Sequence, residues 1–215
     1  MSLPPPRAAA LLIDGPAGAL EALLDDPRED PQGPAPAGFG VICHPHPLHG
    51  GTMQNKVVYT LARACQERGM PTLRFNYRGV GASAGSYDEG RGEIQDALAV
   101  VAAGRARWPD AALTLAGFSF GGMVSLHAAA TAAPSRLISV APAVMRAAAS
   151  IARPACPWLI IQGEADEIVP SREVQAFAAR FQPPPQLLLM PDASHFFHRR
   201  LDELRDAAYA FLAAA

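Results

Sequence analysis

The chain has 215 residues, 50% of them hydrophobic, and a formal net charge of −2. That length suits one domain, residues 1–215, with a large core. The near-neutral charge excludes the electrostatic footprint of a nucleic-acid or anionic-membrane binder. No apolar run is long enough to span a bilayer.

The stretch Met1 to Arg7 lacks a charged region ahead of a long apolar core, so it does not read as a signal peptide, and a cytoplasmic location is expected. Ala8–Ile13 and Leu20–Leu24 read as short strands joined by a turn at Asp14-Gly15-Pro16, able to pair antiparallel at a sheet edge. A charged, Pro/Gly-rich surface loop follows from Asp25 to Gly38. From there apolar strands alternate with helices. Strands are expected at Phe39–Cys43, Thr72–Tyr77, Leu113–Ala116, Leu137–Val140, Trp158–Gln162 and Gln186–Met190. Helices are expected at Gln54–Gly69, Arg91–Arg107, from near Gly121, at Ser171–Phe181 and at Arg199–Ala214. This alternation predicts an α/β fold: a mostly parallel twisted sheet of about eight strands with helices on both faces. The cysteines, Cys43, Cys65 and Cys156, are odd in number and widely spaced, so they fit reduced thiols better than a disulfide framework or a zinc site.

In such a sheet ligands bind beyond the carboxyl ends of the strands, which is where chemistry is to be sought. Gly117-Phe118-Ser119-Phe120-Gly121 lies between an apolar strand and an apolar helix. A G-x-S-x-G turn in that setting forces the serine into a strained elbow and exposes its hydroxyl. The glycines are required because a side chain would collide with the neighbouring strand or helix. A serine hydroxyl needs a base, and the base needs an orienting group. Asp166 follows the Trp158–Gln162 strand and His195 follows the Gln186–Met190 strand, giving the order Ser…Asp…His expected of this elbow. Glu164 and Glu167 are alternatives to Asp166. His198 is an alternative to His195, but is expected to open the last helix. Asp192 reads as a local Asx-turn residue.

Acyl transfer also needs N–H donors for a developing oxyanion. Phe120, the residue after the serine, supplies one. The other comes from the loop His44-Pro45-His46-Pro47-Leu48-His49. Pro45 and Pro47 have no N–H, so the donor is His46 or Leu48, with His46 preferred. His44, His46 and His49 could instead hold a metal; hydrogen bonding that shapes the loop is the simpler role. Gly79, Gly81 and Ala84 mimic a dinucleotide fingerprint, but the loop continues through Gly90 where a helix should open at once.

Together these segments resemble the α/β-hydrolase superfamily, and more narrowly its small lidless bacterial serine esterases. The resemblance is carried by His44-Pro45-His46-Pro47, Gly50 to Lys56, Asn76 to Gly81, Gly117 to Gly121, Gly163 to Pro170 and Ser194 to Phe197. It implies a nucleophile at Ser119, an acid at Asp166, a base at His195, and hydrolysis of carboxylic esters or thioesters without a cofactor. Only about a dozen residues, Ala143 to Pro154, stand where larger members insert a cap, which implies an uncovered pocket and disfavours long-chain lipids. Leu48, Met53, Phe118, Phe120, Val144, Met145, Phe196 and Phe197 are candidates to line the acyl pocket. Lys56 and Arg78 are candidates for surface or loop contacts, or for attracting an acidic substrate. The expected partner is a small-molecule ester, with a homodimer left open. A small peptidase or amidase, and a non-catalytic binding protein of the same fold, are the rival readings.

Overall fold

The computed structural model describes residues 8–30, 33–146 and 151–214. Met1 to Arg7, and parts of the Asp25–Gly38 loop and of the Ala143–Pro154 crossing, lie outside the described residues. All eight strands join one sheet: β1 (Ala8–Gly15), β2 (Gly18–Asp25), β3 (Gly38–Cys43), β4 (Thr72–Phe75), β5 (Ala112–Phe118), β6 (Arg136–Val140), β7 (Trp158–Gly163) and β8 (Gln186–Met190). Their order is β1-β2-β4-β3-β5-β6-β7-β8. β1 and β2 form an antiparallel hairpin, and β2 runs antiparallel to β4. The remaining pairings are parallel. The hairpin turn is Pro16-Ala17, one step beyond the expected turn, because Gly15 still pairs with Gly18.

Five helices cover the sheet: α1 (Lys56–Gln66), α2 (Arg91–Arg107), α3 (Phe120–Ala132), α4 (Ser171–Ala178) and α5 (Leu201–Ala213). Side chains alternate across a strand, and the central strands show it. Leu113, Leu115, Trp158 and Ile160 face the layer of α2, α3 and α4. Ala116, Phe118, Leu159 and Ile161 face α1 and α5. Both faces are apolar, as a parallel sheet requires. The Trp158 indole N–H is satisfied in this dry layer by donating to Ser139 Oγ at 3.1 Å.

Several helix ends differ from the sequence expectation for local reasons. α1 starts late because Asn55 Oδ1 accepts the Val57 N–H at 2.9 Å, which caps the helix. α5 starts at Leu201 because Arg199 takes a left-handed φ of 61° that breaks helical continuity. Residues 141–157 make the crossing from β6 to β7, and its described part carries the short 3-10 turn Val144–Arg146. Among the described residues, no helix is long and apolar enough to cross a membrane.

Candidate active site

β5 ends at Phe118 and α3 begins at Phe120, so Ser119 alone makes the turn between them. Its φ of 56° and ψ of −116° lie outside the regions ordinary residues favour, a strain of about 1–3 kcal/mol that the surroundings must hold in place. They do so through the backbone. The Ser119 N–H donates to the Val140 carbonyl at 2.9 Å, and its own carbonyl accepts from Gly122 at 3.0 Å and Ala143 at 3.1 Å. The flanking glycines are dictated by contact. A Cβ on Gly117 would stand 2.1 Å from the Gly121 carbonyl oxygen, and one on Gly121 would stand 2.3 Å from that of Cys43.

The loops after β7 and β8, which carry Asp166 and His195, meet because Gly163 and Met190 are register partners at the strand ends. Beyond them the Ala165 N–H donates to the Ala193 carbonyl at 3.1 Å. His195 Nδ1 then donates to Asp166 Oδ2 at 2.8 Å, while Ser119 Oγ stands 3.1 Å from His195 Nε2 as its donor. All three residues are buried. The Asp166 carboxylate also accepts the N–H groups of Ile168 at 2.9 Å and Val169 at 2.7 Å, and the Gln162 amide at 3.0 Å. Burial acts to raise its pKa, but hydrogen bonds from His195, Val169 and Ile168 outweigh it, so the carboxyl sits below its ordinary 3.8.

Two residues that the sequence reading did not single out as supports hold this chain. Gln162 is fully buried, and its amide nitrogen also reaches the Gly163 and Val169 carbonyls at 3.1 and 3.0 Å. A polar residue ending an otherwise apolar buried strand was the available signal. Glu167, weighed only as a rival acid, instead accepts the backbone N–H of His195 at 3.1 Å. Glu164 is exposed. His198 is also exposed and precedes α5 rather than opening it, with its ring against Phe196.

The loop after β3 reaches the elbow because Cys43 is the register partner of Gly117. His44 is fully buried; its Nδ1–H donates to the Pro45 carbonyl at 2.6 Å and its Nε2 accepts the Tyr77 N–H at 3.1 Å. Burial pushes its pKa down to about 3, against a smaller upward pull from the Pro45 carbonyl. His46 Nδ1 accepts the Leu48 N–H at 3.3 Å, and its Nε2 lies 3.2 Å from Tyr87 Oη. The His46 ring packs on Phe120 at 4.9 Å. These histidines shape the loop through hydrogen bonds. Among the described residues, no group of three His, Cys, Asp or Glu side chains gathers as a metal site would require.

Ser119, His195, His46 and Phe120 line a cleft of about 350 Å3 whose apolar wall includes Met145, Ile168 and Phe196. Met145, Ile168 and Phe196 are exposed around its mouth, at 63%, 47% and 39%. Of the residues expected in the substrate pocket, Met145 and Phe196 line this cleft. Leu48 lines an adjoining cavity instead. Met53 and Phe118 line neither, and both expectations are corrected. Met53 is buried, its N–H held by Asn76 Oδ1 at 2.9 Å and its carbonyl by Arg74 at 3.0 Å. Phe118 points into the α1/α5 layer, with its ring 4.9 Å from that of His195. Arg78 is committed to the buried Asp96 carboxylate at 2.7 Å, a loop contact. The Gly79–Ala84 segment stays a loop until α2 opens at Arg91.

A family model described as serine aminopeptidase, S33, matches residues 45–155. The solved structure of an α/β serine hydrolase without a lid from Xanthomonas campestris is 44% identical, covers 100% of both chains and superposes with a TM-score of 0.90. An α/β serine hydrolase homologue from Coxiella burnetii is 48% identical with a TM-score of 0.89, covering 95% of this chain and 97% of its own. An uncharacterised Rickettsia prowazekii protein is 29% identical over 213 residues, 94% of this chain and 87% of its own. Eight strands in the same architecture, an elbow serine and these similarities lead to one conclusion: the chain belongs to the α/β serine hydrolases of the lidless kind.

Proposed function

We propose that this hydrolase cleaves carboxylic esters through an acyl-enzyme, with Ser119 as nucleophile, His195 as general base and acid, and Asp166 as the group that orients and stabilises the imidazolium. The reading is carried by the unbroken hydrogen-bond chain from Ser119 Oγ to His195 to Asp166, at 3.1 and 2.8 Å. Oγ attacks the ester carbonyl carbon while His195 Nε2 takes its proton. The oxyanion is held by the Phe120 N–H and by a donor from the loop after β3. Leu48 turns its N–H toward the His46 imidazole, which favours the His46 N–H as that second donor. Collapse breaks the carbon–oxygen bond to the alcohol, which leaves with the proton from His195. Water repeats the sequence to release the acid and restore the serine.

A peptidase reading is favoured by the description of the matching family model. An aminopeptidase must neutralise a substrate α-ammonium group. Among the described residues lining the catalytic cleft there is no carboxylate, and its mouth is apolar. That supports neutral esters over peptides with free N-termini. The test is turnover of p-nitrophenyl acetate against that of alanine p-nitroanilide, which carries the free α-ammonium, with labelling by a fluorophosphonate. Faster ester cleavage, lost together with labelling in Ser119→Ala, is the expected result. Faster amide cleavage would establish the peptidase reading, and absent labelling would indicate a binding protein.

A further inference from the structure

A second cavity, about 610 Å3, adjoins the catalytic cleft and shares His46, His49 and Phe120 with it. Its floor is mostly apolar, with Met123 and Val124 from α3 and the half-buried Ile94 from α2, and the half-buried His127 of α3 lines it beside them. Its wall is aromatic, with Tyr87 centred 5.1 Å from His46 and 6.1 Å from Phe120. At the rim Arg91 pairs with Asp88 at 3.0 Å and with Glu89 at 3.7 Å, so its positive charge is met by carboxylates of the same loop. An apolar floor, a ring-lined wall and a rim whose cation, Arg91, is already paired fit a neutral aromatic group, which stacks on such rings with offset or edge-on geometry.

We infer that this cavity receives an aryl-bearing acyl group of the ester substrate, reached across the His46–Phe120 wall. The inference rests on the ester-hydrolase reading above and deepens it. The assignment to the acyl rather than the alcohol side follows from proton transfer. The departing oxygen must lie within hydrogen-bond reach of His195 Nε2. Phe196, packed edge-on against that imidazole at 5.1 Å, lines the catalytic cleft and not the second cavity. The cavity instead extends from the oxyanion side, past the His46 and Phe120 rings. A substituent directed there stays attached to the carbonyl carbon, and hence to Ser119, after the alcohol has left.

The test compares wild type, Ile94→Trp and His127→Trp, which fill the cavity from α2 and α3 respectively, on p-nitrophenyl acetate and p-nitrophenyl 4-phenylbutyrate. Wild type is expected to show the lower KM on the phenylbutyrate. Both variants should keep kcat/KM on the acetate within about twofold and lose roughly tenfold on the phenylbutyrate, through KM. Equal losses on both esters, or no loss on either, overturn the inference. If wild type cleaves neither ester, the ester reading has failed, and calorimetric titration with 4-phenylbutyrate decides the cavity separately. Binding weakened about tenfold in both variants sustains it. No binding to wild type, or equal binding to all three, overturns it.

Discussion

The imidazole of His44 ties two loops together by accepting the Tyr77 backbone N–H at 3.1 Å while its other nitrogen donates to the Pro45 carbonyl. Both bonds require the neutral ring with its proton on Nδ1, so the loop that approaches Ser119 is held in shape by an uncharged histidine. Preorganised donors of this kind stabilise an oxyanion without rearranging during the reaction.

That neutrality gives the fold a pH dependence. The His44 pKa is pushed down from 6.5 to about 3, so between these values the unfolded chain binds a proton that the folded chain refuses. Stability is therefore full above pH 6.5 and declines as pH falls toward 3, by an amount on the order of 5 kcal/mol for this group. The depressed carboxyl of Asp166 adds a loss of the same sign below its ordinary 3.8. Thermal melts from pH 7 to pH 3 should show Tm falling with acidity. His44→Gln should flatten that slope; an unchanged slope would remove His44 as its source.

Asp166→Asn replaces the orienting carboxylate with an amide that can present an N–H to His195 and so stabilise the wrong tautomer. Turnover of p-nitrophenyl acetate should fall by roughly 10⁴ in kcat, by analogy with other triads. KM should stay close to wild type, since the substituted group does not touch substrate. Steady-state kinetics measures both.

Gln162→Leu removes the amide that reaches Asp166 and two backbone carbonyls. The buried Val169 carbonyl then loses the Gln162 donor, and an unpaired buried acceptor costs about 1–3 kcal/mol, so urea unfolding should show a drop in midpoint. kcat should fall more than KM rises, because the carboxylate loses one of its four donors. An unaffected midpoint would argue against this cradle.

Gly121→Ala drives a methyl to within 2.3 Å of the Cys43 carbonyl oxygen, a backbone atom that cannot swing aside. Overpacking of this kind costs about 1–3 kcal/mol, and more where backbone must move. Expression should drop, and any folded fraction should melt early and label poorly with a fluorophosphonate. A variant as stable and as reactive as wild type would refute the close-approach argument.

The order of strands and helices was legible because apolar runs of strand length alternate with helical periodicity, and because G-x-S-x-G leaves few other solutions at a strand-to-helix turn. Ser119, Asp166 and His195 were legible for a related reason: each follows a strand on the same rim, and parallel register brings those rims together. The pocket was less so. Phe118 and Phe120 are separated by one residue, yet the elbow sends the first into the α1/α5 layer and the second into the catalytic cleft. Met53 looks like pocket lining in one dimension, but Asn76 and Arg74 draw its backbone into the interior. Glu167 could not be distinguished from a catalytic acid until its bond to the His195 backbone was visible.

At the margin of the cleft mouth, Met145 and Phe196 are exposed to solvent. On the proposed acyl-enzyme route, the covalent intermediate formed there meets whatever nucleophile diffuses up first. Water prevails by abundance, yet a dissolved short alcohol reaches the same carbon by the same route. On that route an added short alcohol is expected to divert part of the product from acid to a new ester, in proportion to its concentration.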